Sequence, residues 1–136
     1  MKRILLDTNL YVDWLNAGRR AELFVGGGHV RYLSAVVHME LRAGATTLRA
    51  RRALAGLAAA YSRSDRLVAP EPAVFERAGS VLRLLRARGR EVRRASLVND
   101  VLIALSARSL GATVCTADAA FAAIREVEDF ALERVD

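Results

Sequence analysis

Apolar residues in this chain fall into short unbroken runs separated by longer stretches in which they recur with a helical period. Ile4, Leu5 and Leu6 follow Arg3 without a polar interruption, so Arg3–Leu6 is expected to be a short strand buried on both faces. Asp7, Thr8 and Asn9 come next and suit the start of a helix whose apolar side carries Tyr11, Trp14 and Leu15. Gly26–Gly28 breaks the chain, His29–Leu33 reads as a second strand, and Ser34 caps a helix bearing Val36, Val37, Glu40 and Leu41. A helical hairpin is expected over Thr46–Tyr61 and Pro72–Arg88, with the apolar piece Leu67–Ala69 between them as another strand. Ser96 is expected to cap an apolar helix reaching Leu110, and Gly111 to end it. Thr113–Cys115 then forms a strand, Asp118–Ile124 a short helix and Phe130–Leu132 a last strand. Strands alternating with helices predict an α/β fold in three layers, with a mainly parallel central sheet of four to five strands.

With 136 residues, one domain spanning 1–136 and one hydrophobic core are expected. The single cysteine, Cys115, excludes a disulfide framework and a thiolate metal site. Asp7 interrupts the N-terminal apolar run before a signal peptide could develop, and no stretch approaches the roughly 18 apolar residues of a membrane span. A soluble protein of the reducing cytoplasm, without membrane contact, is the expectation. The net charge of +6 points to a polyanionic partner, and its distribution sharpens the point. Between Arg42 and Arg94 there are thirteen arginines against four acids, whereas Asp118–Asp136 holds six acids against two arginines.

Four acids occupy positions that need explaining. Ligands of parallel sheets bind at the carboxyl ends of the strands, where Asp7 and Asp118 are expected to lie. Asp100 sits among Leu97, Val98, Val101, Leu102, Ile103 and Leu105, so it is expected to be largely buried, and Glu40 follows Val36 and Val37 in the same manner. Taken singly, each has a structural explanation: Asp7 and Asp118 as helix caps, Glu40 paired with Arg31 or Arg42, Asp100 in a buried salt bridge. Taken together, carboxylates gathered away from water need a cation, and hard oxygen ligands favour Mg²⁺ or Mn²⁺.

The order of these acids and their surroundings resembles the PIN domain, particularly VapC-type toxins. Ile4-Leu5-Leu6-Asp7-Thr8-Asn9 is similar to the family's opening strand and Asp-Thr-Asn. Ser34-Ala35-Val36-Val37-His38-Met39-Glu40-Leu41 resembles its second motif, Asn99-Asp100-Val101-Leu102-Ile103-Ala104 its third, and Thr116-Ala117-Asp118-Ala119-Ala120-Phe121 its fourth. Ala120 departs from the pattern, since many relatives carry a further acid there. The resemblance implies that Asp7, Glu40, Asp100 and Asp118 form one acidic pocket for one or two Mg²⁺ or Mn²⁺ ions, where metal-activated water would hydrolyse an RNA phosphodiester. It implies Thr8, Asn9 and Thr116 as residues that orient the ligands or the phosphate. It also implies a cognate antitoxin and a homodimer. Arg83, Arg86, Arg90 and Arg94, near helical spacing with Arg93 beside them, are candidates for contact with nucleic acid or with that antitoxin.

Rival chemistries fail on single positions. A haloacid-dehalogenase-like phosphatase needs a second aspartate where Asn9 stands, and His38-Met39-Glu40 lacks the Pro-Cys-x-x-Cys of a zinc deaminase. Gly26–Gly28 lacks the Lys-Ser/Thr of a phosphate-binding loop, and His29 reads as a loop or strand residue. The remaining alternative is a non-catalytic basic module that binds nucleic acid or another partner, with the acids serving structure.

Overall fold

A computed structural model describes residues 1–136. Five strands, β1 (Lys2–Leu6), β2 (His29–Ser34), β3 (Leu67–Val68), β4 (Thr113–Thr116) and β5 (Leu132–Arg134), form one sheet in the order β3-β2-β1-β4-β5. Every neighbouring pair is parallel. The helices are α1 (Thr8–Ala17), α2 (Ala35–Gly44), α3 (Leu48–Arg63), α4 (Pro72–Ala87), α5 (Ala95–Ser109) and α6 (Phe121–Arg125), with a 3₁₀ turn at Ala21–Leu23.

The chain moves outward from β1 through β2 to β3, then returns across the sheet to β4 and β5 on the other side of β1. Right-handed crossovers in opposite directions cover opposite faces, so two helical layers enclose the sheet. In keeping with this, α1, α2 and α3 pack in sequence, while α4, α5 and α6 pack on one another. The order of strands reverses between β1 and β4, the place where parallel sheets leave a crevice at the strands' carboxyl ends. The core is a single cluster in which Ile4, Leu5 and Leu6 of β1, Val114 and Cys115 of β4, and Val101–Leu105 of α5 are buried.

Local chemistry sets most of the helix boundaries. Asp7, Ser34 and Thr47 each precede a helix and accept a backbone N–H, from Thr8, Val36 and Ala50. Pro72 opens α4, where its missing N–H is harmless. Trp14 stacks on Phe24 with centroids 4.3 Å apart, fastening the 3₁₀ turn, an element absent from the expected pattern.

Several expectations are corrected. The segments 46–61 and 72–88 do not form a hairpin, because β3 enters the sheet edge between them and the crossover reverses there; α3 packs beside α2 and α4 beside α5. The first of them begins at Leu48 rather than Thr46, with Thr47 as its cap, and runs on to Arg63. The fifth helix begins at Ala95 and is preceded by Arg94, which makes no side-chain cap, so Ser96 lies inside it. Residues 118–120 form a turn ahead of a helix limited to Phe121–Arg125. The last strand is Leu132–Arg134, two residues beyond its expected start. Phe130, the strongest apolar signal there, plugs the core, and the polar edge strand follows it.

Candidate functional site

The crevice between β1 and β4 receives side chains from four separate elements. Leu6 of β1 pairs with Cys115 of β4, and the Asp7 N–H donates to the Cys115 carbonyl at 2.9 Å. This fixes Asp7 beside Thr116, whose hydroxyl donates to Asp7 Oδ2 at 2.7 Å. The same hydroxyl oxygen accepts the Asp118 N–H at 2.9 Å, so one threonine orders both strand-end aspartates. Asp7 Oδ1 accepts the Thr8 N–H at 2.8 Å. On α2, Glu40 accepts the Thr8 hydroxyl at 2.8 Å and lies 3.5 Å from the donating amide of Asn99 on α5. Asp100 follows Asn99, and its carboxylate makes no hydrogen bond to a protein group.

Asp7 is buried, Glu40 and Asp100 are half-buried, and Asp118 is exposed. Asp100 is therefore less enclosed than its apolar neighbours predict: it lies on the side of α5 that opens to the crevice, while Val101–Leu105 fill the core. Burial, joined by the charges of Asp7, Asp118 and Glu40, pushes the Asp100 carboxyl up to about 8. Burial also raises Asp7, opposed by the Thr116 hydroxyl and the Thr8 N–H and reinforced by Glu40 and Asp118. None of the four carboxylates belongs to an ion pair.

All four predicted acids therefore stand in one mutually repelling group, with Thr8 and Thr116 bonded into it. Asn9 makes no bond to the group; its Oδ1 is shut away from solvent with no protein partner. Asn99 was not anticipated as a contributor. The signal for it was a second polar residue beside Asp100 in an otherwise apolar helical run.

A divalent cation fits this group in donor chemistry and charge, since all the donors are hard oxygens and no lysine, arginine or histidine offsets them. The carboxylates are not closed around a common point: no three of the acidic, histidine or cysteine side chains are gathered to hold one ion. Local bonds explain the spread, with Asp118 Oδ1 accepting the Ala120 N–H at 2.9 Å while Thr8 and Asn99 hold Glu40.

The predicted arginines do not share a helix face, because α4 stops at Ala87 and Gly89 turns the chain with φ +84°. Arg83 and Arg86 remain on α4, and Arg90, Arg93 and Arg94 lie on the connection to α5. Arg86, Arg90 and Arg93 nevertheless line one concavity, of about 380 Å³. A second concavity, about 460 Å³, runs between α1, α2 and α3, with Val12, Leu15, Leu41 and Leu54 on its walls and Glu40 at its border. No helix is long and apolar enough to cross a membrane.

The family model of the PIN domain matches residues 4–127. Among solved structures, the chain is similar to VapBC2 from Rickettsia felis bound to a DNA fragment from the promoter, with TM-score 0.72 and 20% identity over 98% of this chain and 99% of that one. VapBC-1 from nontypeable Haemophilus influenzae gives TM-score 0.71 and 22% identity over 97% of both chains. VapBC-5 from Mycobacterium tuberculosis, a member of the VapBC family of toxin-antitoxin systems, gives 0.67 and 25% over 99% of this chain and 100% of that one. No curated protein matches the sequence.

Proposed function

This chain belongs to the PIN-domain family, and from that premise we propose that it is a metal-dependent endoribonuclease, the toxin half of a VapBC-type toxin–antitoxin pair. The observation that carries this reading is the group of four carboxylates from four elements at the sheet's switch point, with no protein cation among them. Asp7 and Asp100 are the principal residues to hold Mg²⁺ or Mn²⁺, one ion or two, with Glu40 and Asp118 completing the set. Held there, the metal would supply Lewis-acid stabilisation of the charge that builds on a phosphodiester during hydrolysis. Thr116 keeps Asp7 and the Asp118 backbone in register, and Thr8 holds Glu40, so the acids keep their places despite mutual repulsion.

The partners follow from the same reading. The apolar groove bordering Glu40 suits an antitoxin segment that would close over the site. A homodimer is proposed on the family resemblance, and Phe75 and Leu84, exposed on α4, are available to it.

One observation favours a second reading, a basic nucleic-acid-binding module without catalysis: no three acids are gathered around one point. Incubating purified protein with total RNA in Mg²⁺ or Mn²⁺ separates the two. Discrete products are expected that disappear with EDTA and fall at least about 100-fold in folded Asp7→Asn and Asp100→Asn proteins. RNA left intact by wild type, together with no thermal stabilisation by either metal, would establish the binding module instead.

A further inference from the structure

The connection from α4 to α5 is built as an arginine-lined cleft. At the end of α4 the Arg90 N–H donates to the Leu85 carbonyl at 3.0 Å and the Gly89 N–H to Arg86 at 2.9 Å, the paired bonds that stop a helix on a left-handed glycine. Two residues on, Glu91 Oε1 accepts the Arg93 N–H at 2.9 Å and its guanidinium at 3.3 Å. The backbone is thus fixed on both sides of Glu91. Arg86, Arg90 and Arg93 line the resulting concavity together with Gly89, with Glu91, whose carboxylate is taken up by Arg93, and with Val92, the one apolar residue.

Charge in this region is far from balanced. Arg83, Arg86, Arg88, Arg90, Arg93 and Arg94 face Glu91 within the segment and Glu126 across from it, so guanidinium groups remain after every local pairing. The hydrogen bonds from Arg93 chiefly hold the Glu91 carboxyl below the usual range, and Arg86 and Arg94 lie near enough to add to the effect. Folding would ordinarily avoid such crowding, and an external polyanion relieves it.

The position of the cleft bears on its use. It leads into the first turn of α5, and six residues after Arg94 the same helix carries Asp100, a rise of about 9 Å. The apolar groove lies on the other flank, among α1, α2 and α3. The acidic site therefore has a basic approach on one side and an apolar one on the other.

We propose that the cleft formed by Arg86, Arg90 and Arg93 binds the phosphate backbone of single-stranded RNA and leads the strand to the carboxylate site. No aromatic residue lines the cleft, so it grips phosphates and is blind to base identity. Affinity comes from this flank, and any choice of sequence must be made elsewhere. An acidic protein segment is the rival occupant; the apolar groove suits a peptide better, and the cleft offers a peptide almost no apolar contact.

This inference rests on the RNA half of the proposed function but not on catalysis, so the test uses binding in EDTA. A fluorescent oligouridylate is titrated with wild type, with Arg86→Gln/Arg90→Gln/Arg93→Gln, and with Arg51→Gln/Arg52→Gln/Arg63→Gln on exposed α3, which removes the same charge elsewhere. The cleft variant should bind at least about tenfold more weakly at low salt. Its log K against log salt should flatten by roughly two units, because each lost phosphate contact on a single strand removes about 0.7. If the triple variant unfolds, Arg93→Gln alone, whose one ion pair is with Glu91, should flatten the slope by about 0.7. Equal losses in the cleft and α3 variants, no loss in either, or a cleft variant that keeps RNA but loses a polyglutamate probe would each overturn the proposal. Absence of cleavage by wild type with the binding result intact would instead remove only the nuclease reading.

Discussion

Two carboxylates along α5, one packed against the helix and one carried by it, meet opposite treatment. Near its C-terminal end, Glu128 is 5% exposed and takes two hydrogen bonds from Arg77 of α4, at 2.6 and 2.9 Å, with Arg108 of α5 at 3.2 Å. Its carboxyl is held below the ordinary range, chiefly by the Arg77 hydrogen bonds. Eight residues earlier on the same helix, roughly 12 Å away along its axis, Asp100 has other acids for neighbours and is raised to about 8. The chain has 21 lysines and arginines and supplies two arginines to the structural acid, but none to the four at the end of the sheet. Where this protein needs an acid neutralised for the sake of its fold, it does so internally. The sheet-end acids have no such partner, and their burial beside one another costs stability.

Substituting one acid in each region breaks the comparison most sharply. Glu128→Ala frees the half-exposed Arg77 and Arg108 and unties the segment before β5 from α4 and α5, so the melting temperature should fall by a few degrees, with RNA cleavage per folded molecule preserved. Asp100→Asn removes an acid that the native state keeps only by holding a proton, so its melting temperature in EDTA should rise, and its cleavage in Mg²⁺ should be lost. Thermal melts and cleavage assays on the two purified variants suffice. If both variants destabilise alike, Asp100 is a structural acid and the distinction collapses.

The threonine that orders the strand-end acids allows a finer cut. Thr116→Val keeps the shape and the buried packing but removes the hydroxyl that donates to Asp7 and accepts from Asp118. Cleavage should drop about 10- to 100-fold, with a matching rise in the metal concentration needed for half-maximal rate. Unchanged metal dependence would show that Asp7 needs no help in holding its position.

Much of this contrast is legible in the sequence. Asp7 and Asp118 directly follow apolar strand runs, and parallel sheets place such residues at their functional edge, so pattern and topology agreed. Asp100 was conspicuous because it interrupts the longest apolar helix, although the same reading overestimated its burial by treating the helix as enclosed all round. Asn99 and Glu128 escaped notice for a shared reason: their partners, Glu40 and Arg77, are 59 and 51 residues away, and no local period reports a contact across that distance. The arginine cluster was identified by composition and misplaced by spacing. A turn at Gly89, rather than a continued helix, brings Arg86 and Arg93 to one cleft.

The smallest expected effect is the most specific, because the two regions should respond to pH with opposite sign. A native carboxyl held low, as in Glu128, contributes stability that is complete above the unfolded value near 4.3 and disappears as pH falls through the native one. Asp100 behaves inversely: between its ordinary 3.8 and about 8 the native state holds a proton that the unfolded chain has released, so stability declines as pH rises through that window. Asp7, also raised, tilts the same limb in the same direction. Melts of wild type in EDTA should therefore show a maximum on the mildly acidic side, with one limb falling toward strong acid and the other toward mild alkali. Glu128→Gln should flatten only the acid limb, and Asp100→Asn only the alkaline one. Adding Mg²⁺ near pH 8 should lift wild type by a few degrees and Asp100→Asn by less, because a cation bound to the native state alone stabilises it in proportion to its affinity. An alkaline limb of equal slope in wild type and Asp100→Asn would mean that the sheet-end acids do not share a field, and the case for a common cation there would fall with it.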